Sequence, residues 1–214
     1  SVGYAAGENR EHNFRASVQT GFRNPHTQAL FIGFNVGRAI LVGGAPANLD
    51  RNLPGTALTP RDAYYDSYTR ESVGAFGLAV QTAIAGGTNP NVAVAQNAGL
   101  LTPIVTPLVK QEQVTAYDVG YRGKIGPFTT DLNIYYNKYN DFLAENLVIT
   151  PNNGSTSDLS GVLDIANGLL NGATGNYTVF QVNTNSSADI SSYGAAISLS
   201  TKIANKFDFG INYA

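Results

Sequence analysis

The side chains best suited to chemistry are two histidines and four acidic residues in polar segments. His12 and His26 are the only histidines, and at about 3.3 Å per residue an extended chain separates them by about 45 Å. They therefore cannot share a metal ion or a catalytic step. The acidic residues could supply oxygen ligands to calcium, but their spacing is not that of an EF-hand loop. These residues are Asp141, Glu145, Asp158 and Asp164.

Sequence patterns of the common enzyme classes are missing. The chain has no cysteine, which excludes thiolate metal sites and cysteine nucleophiles. It also has no Gly-x-Ser-x-Gly, Walker, Gly-x-Gly-x-x-Gly or His-Glu-x-x-His pattern. We therefore expect no enzyme, no cofactor and no metal. A net charge of -2 gives no basic surface for nucleic acid.

Charged and polar side chains recur at every second position of several stretches. Such positions share one face of a β-strand. If that face lines a watery interior, its charges either pair with one another or guide a substrate, because an interior charge needs a partner. Arg23, Asp118 and Lys124 belong to this pattern. The candidates for a lumen-facing position are Arg15, Gln19, Arg122, Asp131 and Asn133.

Three tyrosines lie close together just before a predicted helix. They are Tyr64, Tyr65 and Tyr68. Two roles are open for them: a ligand-stacking surface at the mouth of a pore, or packing within a small core. Packing is favoured because aromatic side chains dominate small cores.

Residues 113–137 alternate with period two and predict the strands that position these polar side chains. The stretch reads as two strands joined by a tight turn at Gly126 and Pro127. Each strand has about ten alternating positions, enough to cross a bilayer at a tilt. The face predicted to be apolar carries Thr115, Tyr117, Val119, Tyr121, Ile125, Phe128, Leu132, Ile134 and Tyr136.

The same alternation recurs in residues 13–23 and 193–200 and in the segment that begins at Phe207. Only 13% of the residues are charged, against about a quarter in soluble domains, and no window reaches about 18 consecutive apolar residues. Any membrane-spanning structure would therefore be a barrel. We predict an all-β fold: an antiparallel transmembrane β-barrel segment of about six strands from a larger barrel, with short helices in long extracellular loops.

The connections between these strands alternate between short and long, as in bacterial outer-membrane barrels. Short turns are predicted at Gly126 and at residues 204–206. Long extracellular regions are predicted at 24–112 and 141–176 within a partial barrel of residues 1–214. The first holds a short strand pair in residues 31–44 and a helix at 69–85. The second holds a helix at 158–170, and residues 177–185 are predicted to re-enter the strand that continues to Ile203.

Two segments resemble the barrel of TonB-dependent outer-membrane transporters. The family pattern Gly-Phe-Arg-x-Pro is matched by Gly21, Phe22, Arg23 and Pro25. The later pattern, Lys-Pro-Glu followed by Tyr-Glu-x-Gly, is matched by Glu112, Tyr117 and Gly120, with Gln111 in place of proline and Asp118 in place of glutamate. The order of the two motifs, with a loop between them and a hairpin after, extends the resemblance over most of the chain.

The resemblance implies a bacterial outer-membrane receptor that takes up a nutrient by energised transport. Such a barrel has about 22 strands around a plug domain. This chain would supply about six of those strands, from the C-terminal half of the barrel. The implied partners are outer-membrane lipid, the plug and the rest of the barrel, and the TonB energy-coupling complex through an N-terminal segment outside this sequence. A surface lipoprotein is open as a further partner. The start at Ser1 and the end within an alternating stretch suggest a piece of a longer polypeptide.

Two other hypotheses stay open. A non-transporting surface or adhesion protein could use the same barrel as an anchor. A soluble β-sandwich binding module would give the same alternation, because one buried sheet face has the same period. In the sandwich, residues of the apolar faces should be buried between two sheets. The test residues are Tyr117, Val119, Leu132, Ile134, Ile197 and Leu199.

Overall fold

The computed structural model describes residues 1–172, 176–203 and 206–214. Most of its regular structure is strand. The strands are β1 (Val2–Ala6), β2 (His12–Arg23), β3 (Gly33–Asn35), β4 (Ile40–Val42), β5 (Ser67–Thr69), β6 (Pro103–Ile104), β7 (Glu112–Ile125), β8 (Phe128–Asn140), β9 (Leu143–Pro151), β10 (Tyr177–Asn185), β11 (Ile190–Ile203) and β12 (Phe207–Tyr213). The helices are α1 (Thr27–Phe31), α2 (Pro60–Tyr65), α3 (Arg70–Ala85), α4 (Pro90–Asn97) and α5 (Leu159–Asn171).

The strands form two six-stranded sheets, and the chain divides into two compact units. The first unit consists of Ser1–Arg23, Gln111–Phe142 and Ser187–Ala214. Its strands lie in the order β1-β2-β7-β8-β11-β12, and each neighbouring pair is antiparallel. We call this sheet the meander sheet. The meander sheet confirms the prediction that the alternating segments of the sequence form antiparallel strands.

The register of the meander sheet keeps apolar side chains together across the strands. Ala16 lies opposite Val119, Val119 opposite Ile134, and Ile134 opposite Ala195. Because successive side chains point to opposite faces, Arg15, Gly120 and Asn133 share the other face. The predicted split between an apolar and a polar face is therefore confirmed. The hairpin turn at Gly126 is also confirmed, with a φ of 59°, whereas Ala204 and Asn205 of the other predicted turn lie outside the described residues.

Large apolar side chains of the meander sheet are exposed rather than buried. Phe22 is 69% exposed, Val119 58% and Ile134 52%. Of the residues that a β-sandwich should bury, Tyr117 and Ile197 are also exposed, and Leu132 and Leu199 are half-buried. The sandwich hypothesis fails this test.

The second unit consists of Asn24–Lys110 and Leu143–Ser186, which are the two long connections of the meander sheet. We call it the inserted domain. Its sheet has the order β3-β4-β10-β9-β5-β6, in which β4 and β10 run parallel. Val148 and Ile149 of β9 belong to two different buried clusters, because neighbouring side chains point to opposite faces. Both faces of this sheet are therefore covered.

Both long predicted helices are present, as α3 and α5, and each begins directly after a residue that caps it. The Thr69 side chain accepts a hydrogen bond from the Ser72 N–H at the start of α3. The Asp158 side chain accepts from the Gly161 N–H at the start of α5, and Gly172 ends that helix in the left-handed conformation. Polar N-caps and a C-terminal glycine satisfy backbone groups that a helix end leaves unpaired. The strand pair predicted in residues 31–44 is also present, as β3 and β4.

One predicted strand of the meander sheet belongs to the inserted domain instead. Residues 177–185 form β10 as predicted, but β10 pairs with β4 and β9 in the inserted domain. Its inward-facing Phe180 and Val182 are completely buried there. The strand of the meander sheet begins only at Ile190.

Candidate functional site

Three polar residues form a network on the polar face of the meander sheet. Arg15 Nη2 donates to Asn133 Oδ1 at 3.3 Å, and Asn133 Nδ2 donates to Asp118 Oδ2 at 2.8 Å. Arg15 Nε also lies 3.9 Å from Asp118 Oδ1. Gly120 lies opposite Arg15, and a Cβ at this glycine would come within 2.9 Å of Arg15 Cγ. The glycine therefore makes room for the arginine, and Arg15 and Asp118 on this face pair with each other.

The remaining lumen-facing candidates lie on the same polar face. Arg122 is opposite Asp131 in the register of β7 and β8, and Gln19 is opposite Ala116. Arg122, Asp131 and Asn133 line a groove of about 500 Å³. The groove continues over β11 to Asn212 at the end of β12, and its β11 residues on this face are small. They are Ala196, Ser198 and Ser200.

The two family-like motifs meet across one pair of strands. Arg23 of the first motif lies opposite Glu112 of the second, and its Nε donates to Glu112 Oε2. The Glu112 side chain is 6% exposed and that of Arg23 is 68% exposed. Gly21 and Phe22 precede Arg23 on β2, and Pro25 follows the strand. Tyr117, Asp118 and Gly120 lie further along β7.

The tyrosine cluster lies mainly in the core of the inserted domain. Tyr64 is 0% exposed and Tyr68 1%, whereas Tyr65 is 42% exposed. Tyr64 Oη donates to the Asn183 carbonyl at 2.5 Å, and Tyr68 Oη to the Thr156 carbonyl at 3.1 Å. Burial raises the pKa of both hydroxyls. The favoured packing role therefore fits Tyr64 and Tyr68, whose burial leaves Tyr65 as the exposed ligand-contact candidate of the three.

The histidines and the acidic residues take structural positions. His12 Nδ1 lies 2.8 Å from Tyr121 Oη, while His26 precedes α1. Asp164 is 7% exposed and accepts from the Asn153 backbone N–H at 2.7 Å. Hydrogen bonds from Ser160 and from the backbone of Gly161 and Ser155 lower the pKa of Asp158. Within residues 1–172, 176–203 and 206–214, no three His, Asp or Glu side chains are grouped to hold a metal.

A groove of about 650 Å³ in the inserted domain was not predicted. It lies among the β3–β4 hairpin, residues 55–58, the residues after β9 and the start of β10. We call it the inserted-domain groove. Its polar side chains come from both long connections and are Asn35, Arg38, Thr56, Asn152, Asn153, Tyr177 and Thr178. No sequence motif unites residues so far apart, so only the fold reveals the groove.

The polar groups of this groove are held by neighbouring side chains. Thr178 Oγ1 donates to Asn152 Oδ1 at 2.7 Å. The Asn153 amide lies 3.3 Å from both carboxylate oxygens of the buried Asp164. The Tyr177 ring packs over Gly168 of α5, where a Cβ would come within 2.5 Å of the ring. These contacts hold in place the part of the lining that follows β9 and begins β10.

Comparisons with known proteins gave no relatives. Scans against protein-family models, curated proteins and solved structures each found no match. The helices that the structure describes are all too short or too polar to cross a membrane.

Proposed function

We propose that this chain is part of the wall of a TonB-dependent transporter in the bacterial outer membrane. The observation that carries the proposal is the meander sheet, which combines an exposed apolar face with a polar face on the same strands. In a barrel wall the first face contacts lipid and the second lines a water-filled lumen. The function would be capture and energised uptake of a nutrient, without chemical conversion.

The limits of the apolar band support a membrane location. Tyr117, Tyr136 and Tyr193 lie side by side on three strands. In the next row toward the long connections, the same face carries Thr115, Lys138 and Ser191. Toward the short turns the band ends near Ile125 and Phe128. The eight-residue interval from Tyr117 corresponds to about 20 Å along the membrane normal at a tilt near 40°.

The alternation of the connections gives independent support. Both long connections leave and re-enter the meander sheet at the same end of its strands, whereas Gly126 and Pro127 turn the chain at the other end. Outer-membrane barrels have short periplasmic turns and long external loops. The inserted domain would then be extracellular.

The order of the strands also fits a piece of a wall. Within the described residues, β1 and β12 each have a neighbour on one side only. Unpaired strand edges are avoided in a bilayer, because no water is present to satisfy their backbone groups. Further barrel strands would pair with both edges, a plug domain would contact the polar face, and TonB would act through the plug. A surface lipoprotein is a further candidate partner for the inserted domain.

A second candidate is a surface protein that uses the barrel only as an anchor. The observation in its favour is that the two long connections form one domain with buried clusters of its own. Such a domain can be displayed at the cell surface without transport. The two candidates differ in whether the protein takes up a ligand at all, which the transporter does with the help of TonB.

The membrane proposal can be tested with two adjacent alanines on opposite faces. Ala195 lies opposite Ile134 on the apolar face, and Ala196 lies opposite Asn133 on the polar face. Because the chain has no cysteine, Ala195→Cys and Ala196→Cys each introduce one label site. In outer-membrane vesicles, a water-soluble maleimide should label Ala196→Cys, while a spin label at Ala195→Cys should be in contact with lipid.

Two results would reject the proposals separately. Recovery of the protein in the soluble fraction, or equal aqueous labelling at both positions, would reject a membrane wall. Ligand uptake that is unchanged by deletion of this protein, or that persists in a strain without TonB, would reject the TonB-dependent transporter. The first of these results would leave the anchor standing.

A further inference from the structure

Among the described residues that line the inserted-domain groove, one has a charged side chain. That residue is Arg38, which is exposed. Among the residues that the structure describes, no carboxylate forms a salt bridge with Arg38. The guanidinium is therefore available to an anion, for which it can form two parallel hydrogen bonds with a carboxylate. The charge of the groove favours an acidic ligand.

The rest of the polar lining consists of amides and hydroxyls. Side-chain amides offer both donors and acceptors, and threonine hydroxyls do the same. Neighbouring hydroxyls of a sugar ring need this mixture, because each hydroxyl both donates and accepts. Asn152 and Thr178 are joined by a hydrogen bond, and Asn153 is held by Asp164. Preorganised polar groups of this kind lose little conformational freedom when a ligand binds.

Tyr177 adds an aromatic surface to the lining. Its ring packs against α5 at Gly168 and is half-buried. A fixed tyrosine ring offers a large apolar area at a small entropic cost, and the C–H face of a sugar is apolar. The volume of about 650 Å³ lies within the range of about 300–1,000 Å³ that is usual for small-ligand pockets.

We infer that the inserted-domain groove binds an acidic oligosaccharide. Arg38 binds the sugar carboxylate, Asn152, Asn153 and Thr178 bind hydroxyls, and Tyr177 packs against a ring. Because both long connections supply these residues, the site exists only when the two are folded together. Binding does not depend on the proposed function. Only the role of the sugar as transported cargo rests on that proposal.

Calorimetry on the whole chain in detergent tests the site, with trigalacturonate as the acidic probe and maltotriose as the neutral one. Trigalacturonate should bind more tightly than maltotriose. Arg38→Gln should weaken trigalacturonate binding about tenfold and remove the preference for the acid. Asn152→Ala should weaken both probes. Arg70→Gln is the matched control, because Arg70 is an exposed arginine of the same domain outside the groove.

Three outcomes would overturn the inference. The first is that trigalacturonate at millimolar concentration gives no heat of binding. The second is that the two probes bind with equal affinity. The third is that Arg38→Gln and Arg70→Gln lose the same amount of trigalacturonate affinity. Far-UV circular dichroism of each variant separates a binding defect from unfolding. A positive binding result combined with TonB-independent uptake would keep the site and reject the transporter.

Discussion

Arg23 and Glu112 form an ion pair between β2 and β7, at the point where both strands adjoin the first long connection. Glu112 is almost completely buried, whereas Arg23 is largely exposed. A buried carboxylate needs a partner because its charge is otherwise poorly solvated. The pair therefore fixes where the chain leaves the meander sheet and where it returns, 89 residues later in sequence.

The asymmetry of this pair leads to a prediction about stability. Arg23→Gln should lower the free energy of unfolding by about 1–3 kcal/mol, because the buried Glu112 carboxylate loses its ion pair with Arg23. The double variant Arg23→Gln, Glu112→Gln should lose less than the sum of the two single variants. Urea unfolding in detergent, followed by far-UV circular dichroism, measures these differences.

An exposed pair of the same sheet provides the control. Lys202 and Asp208 lie 4.0 Å apart with both side chains at least 70% exposed. Removing such a pair changes stability by about 0–1 kcal/mol, so Lys202→Gln should have little effect. A loss in Lys202→Gln equal to that in Arg23→Gln would contradict the role of burial.

Arginine at the two adjacent alanines should separate the faces energetically. If the apolar face contacts lipid, an arginine near the middle of its apolar band should be costly. Ala195→Arg should therefore destabilise the barrel in the membrane by about 2–4 kcal/mol. Ala196→Arg lies on the polar face and should cost much less. Folding into lipid vesicles at increasing urea concentrations gives both values. Equal costs at the two positions would show that both faces have the same surroundings.

Asp66 joins the two long connections within the inserted domain. Its Oδ1 accepts hydrogen bonds from Ser155 Oγ at 2.9 Å, Thr156 N at 2.8 Å and Thr156 Oγ1 at 2.6 Å. Asp66→Ala should destabilise the domain by about 2–3 kcal/mol, since three donors lose a charged acceptor. Faster proteolysis of residues 152–158 would report this opening.

The conservative variant at Asp66 serves as the control for that experiment. Asp66→Asn keeps an acceptor oxygen and should lose less stability than Asp66→Ala. If neither variant changes the cleavage rate, Asp66 does not hold the two connections together.

The buried tyrosines make the inserted domain sensitive to alkali. Burial raises the pKa of Tyr64 above its usual value of about 10. Above that pH the unfolded chain loses a proton that the folded chain keeps, so stability falls as pH rises. The effect is absent at neutral pH, where tyrosine is protonated in both states.

Tyr64→Phe should therefore reduce this alkaline loss. At pH 7 the variant should be less stable by about 1 kcal/mol, because the hydrogen bond to the Asn183 carbonyl is gone. Its stability should fall less steeply between about pH 9 and pH 11 than that of the native chain. Tyr65→Phe alters an exposed tyrosine of the same helix and should leave the profile unchanged. Parallel profiles for all three proteins would contradict this account.

The meander sheet was predictable because its signal is local. Strand period, hairpin turn and face assignment all follow from neighbouring residues, such as Asp118 and Val119, whose side chains point in opposite directions. The ends of α3 and α5 were predictable for the same reason, since Thr69 and Asp158 cap their helices within three residues. The polar-face network followed from the same alternation.

The inserted domain was not predictable as one unit. Its sheet depends on the parallel pairing of Leu41 with Gln181, and no local pattern specifies a partner so far along the chain. For that reason the sequence pattern alone wrongly predicts that β10 belongs to the meander sheet. The burial of Tyr68 depends on another distant pairing, with Ile149 of β9, and the inserted-domain groove needs residues of both long connections.

The parallel pairing of β4 with β10 also limits what an incomplete chain can fold. Val42 and its neighbour Val182 lie far apart in the sequence, so a chain that lacks Val182 leaves one edge of β4 without its native strand. A polypeptide terminated before Tyr177 lacks β10 altogether and keeps that edge open. Such truncated products should aggregate, because an open apolar strand edge pairs with other chains.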